Sequence, residues 1–122
     1  MRPLAVAVLG LALSAGAAAA EAPGAEASLK RMLAALQSSS YDEFVANAEE
    51  PFRAALNRTT FDAVSAQMTP RLKGGYAATY LGTLNQVGYG VHLWKLVFKD
   101  GKDDVLVRIS TKDGRVGGFF LQ

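Results

Sequence analysis

Cysteine is absent from the 122 residues, which excludes disulfides, a thiolate nucleophile and the lipid-bearing cysteine of a lipoprotein. His92 is the only histidine, so no second imidazole can help complete a zinc shell. An excess of charge of one sign is missing too. Thirteen basic and eleven acidic residues give a formal +2, which offers neither nucleic acid nor an anionic membrane an electrostatic footing. Gly74-Gly75 and Gly88-Tyr89-Gly90 lack a phosphate-binding spacing ahead of a helix and read as turns. No serine, histidine and aspartate recur at a hydrolase-like spacing. No repeat, long linker or low-complexity tract divides the chain.

What is present begins with Arg2, an apolar run from Leu4 to Leu13, and the small residues Ala18-Ala19-Ala20. The pattern predicts a secretory signal peptide over residues 1–20, cleaved between Ala20 and Glu21. The run is short and diluted by Gly and Ala, so it leaves no stable membrane anchor, and a periplasmic or secreted protein of bacterial type is expected. Loss of Arg2 lowers the formal charge from +2 to +1. Residues 21–27 read as a flexible leader. Residues 28–122 are enough for a single domain with its own core.

The firmest elements lie at the carboxyl end. Val91–Phe98, Asp103–Ser110 and Arg115–Leu121 alternate as strands, joined by Lys99–Lys102 and by Asp113-Gly114, a strong hairpin signal. A four-residue first loop sets Leu96 opposite Val105, Trp94 opposite Val107 and His92 opposite Ile109. A two-residue second loop sets Thr111 opposite Val116, Ile109 opposite Gly118 and Val107 opposite Phe120. One face then gathers His92, Trp94, Leu96, Phe98, Val105, Val107, Ile109, Val116 and Phe120. The other holds Val91, Leu93, Val97, Leu106, Phe119 and Leu121 among Lys95, Asp104, Arg108 and Arg115. Its apolar content predicts a homodimer face. Gly117 and Gly118 mark a bulge, bend or close approach in the last strand.

Upstream, Leu29, Met32, Leu33 and Leu36 predict a helix over Ser28–Gln37, and Ser40 with Glu43 forms a capping-box pattern for the next. A stripe from Tyr41 to Leu56 predicts one helix kinked at Pro51. Phe61, Val64, Ser65 and Met68 predict a short helix capped at Thr59-Thr60 and ended before Pro70. Tyr76–Leu84 reads as a further strand, with Tyr80 and Leu84 on one face and Thr79, Leu81 and Thr83 on the other; a helix through the same residues is the alternative, at a cost of about 1 kcal/mol for Gly82 relative to Ala. Helices followed by an antiparallel meander of three to four strands make an α+β fold, helices packed on one sheet face.

Tyr41-Asp-Glu-Phe-Val45, Leu93-Trp-Lys-Leu-Val-Phe98, Lys112-Asp-Gly-Arg-Val116 and Gly118-Phe-Phe120 together resemble small exported members of the cystatin-like, nuclear transport factor 2-like superfamily, near a domain of unknown function. The resemblance covers roughly Tyr41 to the end. It implies a curved sheet wrapped around helices as a cone, with a pocket at its open end and a dimer through the sheet. The acidic base and oxyanion donors of the superfamily's ketosteroid isomerase-like enzymes have no counterpart that aligns.

Candidate chemistry is correspondingly sparse. Tyr76, Tyr80, His92 and Trp94 form the candidate ligand-binding set, with Arg71 and Lys73 near the mouth for an anionic or aromatic ligand. A lone histidine on an apolar strand face favours a structural role over general acid–base work. Asp103 and Asp104 are adjacent on a strand and point to opposite faces, so they make no carboxylate pair; Asp104 is placed to offset Lys95. No catalytic residue, metal or cofactor is assigned. The expected function is a non-enzymatic binding domain for a small ligand or an envelope protein, with an isomerase- or hydratase-like enzyme as the alternative.

Overall fold

The computed structural model of the protein describes residues 23–122. The expected signal peptide, its cleavage point and residues 21 and 22 lie outside the described residues. Among these residues four helices, α1 (Pro23–Ser38), α2 (Tyr41–Phe44), α3 (Glu50–Ala55) and α4 (Arg58–Lys73), precede four strands, β1 (Tyr76–Gln86), β2 (Tyr89–Phe98), β3 (Val105–Lys112) and β4 (Arg115–Leu121). The strands form one open antiparallel sheet in the order β1-β2-β3-β4, so the fold is α+β with helices then a meander.

The expected leader is shorter than its composition indicates. From Pro23 onward it is the first turn of α1, where the fixed φ of proline suits a helix start and Glu26 meets the positive end of the helix. Ala25, only 3% exposed, anchors that turn. Ser28, Leu29, Met32, Leu33 and Leu36 continue the buried stripe against the sheet. Ser39 adopts a left-handed φ of 58° and Ser40 N donates to Ala35 O at 2.8 Å, which ends the helix. The Leu36 carbonyl accepts from Ser65 Oγ at 2.6 Å and Thr69 Oγ1 at 3.1 Å, locking α1 to α4 through groups a helix end would otherwise leave unpaired.

The kinked helix through Pro51 is two helices instead. After Ser40 caps α2, residues 47–49 leave helical conformation because they pair with the sheet edge: Val116 N donates to Asn47 O and Glu49 N to Val116 O. Pro51 then sits in the first turn of α3, where its missing N–H has no helical partner to lose. α4 also departs from expectation. Asn57, not the threonines, is its cap, accepting from Thr60 N at 2.8 Å, and the helix runs through Pro70 to Lys73. The carbonyl deprived by Pro70 belongs to exposed Ala66, open to water, while Leu72 at 3% exposure holds the last turn in the core.

β1 is present as expected and closes on β2 through Val87 and Gly88, whose φ values of 51° and 84° are those of a primed hairpin turn. Asp113 and Gly114 do the same between β3 and β4. The β2–β3 register matches the expected one at Leu96–Val105, Trp94–Val107 and His92–Ile109. β3 starts at Val105 rather than Asp103, whose carbonyl is taken by Arg71 Nη2 at 2.6 Å.

Two bulges change the faces. Leu81 is extra in β1, so Tyr80 pairs with Trp94 and Thr83 with His92, and Thr83 joins the face of Tyr80 rather than opposing it. Gly117 is extra in β4: Thr111 pairs with Val116 but Ser110 with Gly118, Ile109 with Phe119 and Val107 with Leu121. Phe119 and Leu121 therefore turn inward and Phe120 outward, reversing the expected sides. A Cβ on Gly117 would stand 2.6 Å from Tyr89 Cε2 and 2.8 Å from Glu49 Oε1, closer than side chains tolerate.

Gly117→Ala is expected to destabilise the domain by about 1–3 kcal/mol through this overpacking. Thermal denaturation should show Tm falling by roughly 4–8 °C per kcal/mol. An unchanged Tm would contradict the close approach.

Candidate functional site

Three of the four candidate ligand-binding residues come together. Tyr76, Ala78 and Tyr80 on the inner face of β1, with Trp94 behind them, form one wall of a 330 Å³ cleft; Glu26, Leu29, Lys30 and Leu33 of α1 form the other. The bulkier neighbours of Ala78 are both tyrosines, so the alanine leaves the space between them. Tyr80 and Trp94 meet edge to face at 5.8 Å, and burial pushes the Tyr76 phenol pKa up. Lys30 and Glu26 pair along the α1 side of the rim at 3.7 Å.

His92 is not part of that lining. At 5% exposure it sits between two threonines, Nδ1 at 3.0 Å from Thr83 Oγ1 and Nε2 at 3.1 Å from Thr111 Oγ1. The Thr83 hydroxyl also bonds Tyr80 Oη, so a polar chain crosses β1, β2 and β3 inside the apolar face. Burial lowers the imidazole pKa, favouring the neutral ring. With both ring nitrogens occupied by hydroxyls, its geometry is that of a satisfied core residue.

Arg71 is likewise committed to structure. Its Nε donates to Asp100 Oδ2 at 2.8 Å and its guanidinium lies 4.1 Å from the Phe98 ring centre. That hydrogen bond raises the Arg71 pKa and holds the Asp100 carboxyl below the usual range. Among the described residues no group of three or more His, Asp or Glu side chains is placed to hold a metal ion. Asp104 makes no salt bridge with Lys95 among those residues, since it precedes the strand that was to carry it.

The expected dimer face is broken up. Val91 is only 4% exposed, Leu93 and Leu106 are half-buried and Val97 is 40% exposed. Phe119 and Leu121 have left that face for the core side because of the Gly117 bulge. Phe120 replaces them, with the Arg108 guanidinium 4.6 Å from its ring centre.

The same reversal creates a second concavity, which periodicity did not reveal. Phe119 packs edge to face against Phe44 at 5.0 Å, and Phe44 against Phe61 at 5.2 Å. Between this cluster, α3 and α4 lies a 220 Å³ cleft lined by Phe52, Leu56, Val64, Phe119 and Leu121, with Leu36, Phe44, Phe61 and Phe120. Among the described residues, Thr60 contributes its sole polar side chain. The signal was Gly117-Gly118, which marked a disturbance in β4 without giving its direction.

The chain matches no protein-family model, and no curated protein is significantly similar to it. Among the described residues no helix is long and apolar enough to cross a membrane.

The His92 environment yields a pH signature. Because its folded pKa lies below the ordinary value of about 6.5, the unfolded chain takes up a proton that the folded chain resists. Stability is therefore full above about pH 6.5 and declines as pH drops below it. Thermal melts across that range should show this slope in the native chain and lose it in His92→Gln; equal slopes in both would contradict the assignment.

Proposed function

We propose that the chain is a non-enzymatic binding domain that takes a small, uncharged apolar molecule in the cleft between α3, α4 and β4. The observation that carries this reading is the lining: among the described residues, nine apolar side chains and Thr60 surround 220 Å³. Burying a charged or strongly polar ligand there would strip its hydration with one hydroxyl to compensate, which is unfavourable. An apolar cavity of about 150 Å³ holds benzene, so the space suits a single ring or a short aliphatic chain. Phe52, Leu56 and Val64 are half-buried, and covering them supplies the driving force at about 25 cal/mol per Å².

Export to the periplasm or exterior, and the cone-like architecture of the cystatin-like resemblance, belong to the same proposal. An isomerase- or hydratase-like enzyme requires a base facing its substrate. Among the described residues no carboxylate or imidazole lines the apolar cleft, and His92 has both nitrogens occupied.

1-Octanol titrated into the ¹⁵N-labelled protein should move the amide resonances of Leu56, Thr60, Val64, Phe119 and Leu121 saturably. Val64→Trp, which fills the cleft, should abolish those shifts while the protein stays folded. Absence of saturable shifts, or shifts that persist in Val64→Trp, would refute the proposal.

A further inference from the structure

Among the described residues five large hydrophobic side chains are exposed: Leu81, Leu84, Val87, Val97 and Phe120. They fall on the side of the sheet turned away from the helices. Leu84, Val97 and Phe120 alternate with inward Thr83, Phe98 and Phe119, and Leu81 follows inward Tyr80 at the bulge. Val87, at the tip of the β1–β2 hairpin, borders a shallow hollow with Tyr89, Val91 and Ser110 of that same side. Its φ of 51° is one that a β-branched side chain adopts unfavourably, and asparagine or glycine would close the turn more easily. At 96% exposure the valine gains no packing that would offset the strain, which places it for a partner outside the fold.

Charge divides along the same plane. The strands β1–β4 carry Lys95, Arg108, Lys112 and Arg115 and neither aspartate nor glutamate. Arg115 is tied to the sheet edge, where its Nη2 donates to Ala48 O at 2.8 Å. Lys95, Arg108 and Lys112 alternate with inward Trp94, Val107 and Thr111 and so occupy the outer face. Asp113, in the turn between Lys112 and Arg115, balances that end, which leaves the cationic excess at Lys95 and Arg108 among the exposed apolar side chains. The near-even charge of the whole chain conceals this separation. Asp100, Asp103 and Asp104 lie in the β2–β3 loop, and among the described residues every other acid precedes β1.

We infer that the outer sheet face docks on an anionic lipid bilayer, with Val87 and Leu84 entering the headgroup boundary and Lys95 and Arg108 meeting lipid phosphates. The cations and the absence of carboxylates on this face of the strands supply the charge complementarity. A fluid bilayer moulds itself to projecting side chains, whereas a rigid protein partner would need a socket for each. A second copy laid face to face would bring only cations against cations, which is unfavourable. Insertion stops at the interfacial zone, because the polar backbone of the Val87-Gly88 turn would be left unsatisfied in hydrocarbon. The contact is peripheral and reversible, and it is separate from the apolar cleft between α3, α4 and β4.

Co-sedimentation of the full chain with vesicles tests it, one set of phosphatidylcholine alone and one with about a quarter phosphatidylglycerol. The native chain should partition onto the anionic set and be released by added salt. Lys95→Glu should weaken that partitioning roughly tenfold. Val87→Asn should weaken it roughly tenfold as well while leaving Tm unchanged or higher, since asparagine suits the turn. Every chain compared carries the same residues 1–22, so each difference belongs to the sheet. Should Lys95→Glu fail to fold by circular dichroism, Lys95→Gln takes its place, with a smaller loss in the same direction. Equal partitioning onto both vesicle sets, or none onto either, overturns the inference, as does native-like binding by the Val87 or Lys95 variant. Tighter binding to poly-L-glutamate than to the anionic vesicles would assign the face to an acidic polypeptide and overturn the bilayer.

Discussion

The contact on which the arrangement depends is the approach of Tyr89 and Glu49 to Gly117. Tyr89 Oη donates to Glu49 Oε1 at 2.6 Å, and the pair closes over Gly117, one of the two β4 positions without a side chain. The hydrogen bond raises the Tyr89 pKa and ties the segment before α3 to the start of β2. At this point the strand absorbs one extra residue, and everything beyond Gly117 changes sides.

That slip by one residue has consequences at three levels. In packing, Phe119 and Leu121 join Phe44 and Phe61, while Phe120 is left 51% exposed beneath Arg108. In cavity chemistry, the inward residues complete an apolar cleft that is separate from the tyrosine-lined one beside α1. In surface chemistry, the outer sheet face loses Phe119 and Leu121, two of its six expected apolar members, and gains Phe120. A side-chain period of two makes these changes concerted, since a single inserted residue inverts the remainder of the strand.

The fold class, the four-strand meander and the β2–β3 register were legible because alternation and Asp-Gly turn chemistry are local properties. Val87-Gly88 was less so: a β-branched residue at positive φ is an unfavourable choice for a primed turn, and the residue type gives no hint of it. The fates of Pro51 and Pro70 followed from tertiary context. Pairing of residues 47–49 with Val116 ended one helix early, and burial of Leu72 carried another past its proline. That Tyr76, Tyr80 and Trp94 lie together on one face was recoverable because they precede or avoid the bulge at Leu81. The apolar cleft was not, because its β4 members depend on which side of Gly117 the chain resumes its alternation.

The most direct test of this account is the register of β4 in solution, read from nuclear Overhauser effects on the isotope-labelled chain. The account predicts cross-peaks between the Phe44 and Phe119 rings and between the backbones of Ile109 and Phe119, with Phe120 showing contacts to Arg108 alone of these partners. Cross-peaks joining Phe44 to Phe120, together with pairing of Ile109 with Gly118, would contradict it and remove the apolar cleft with it.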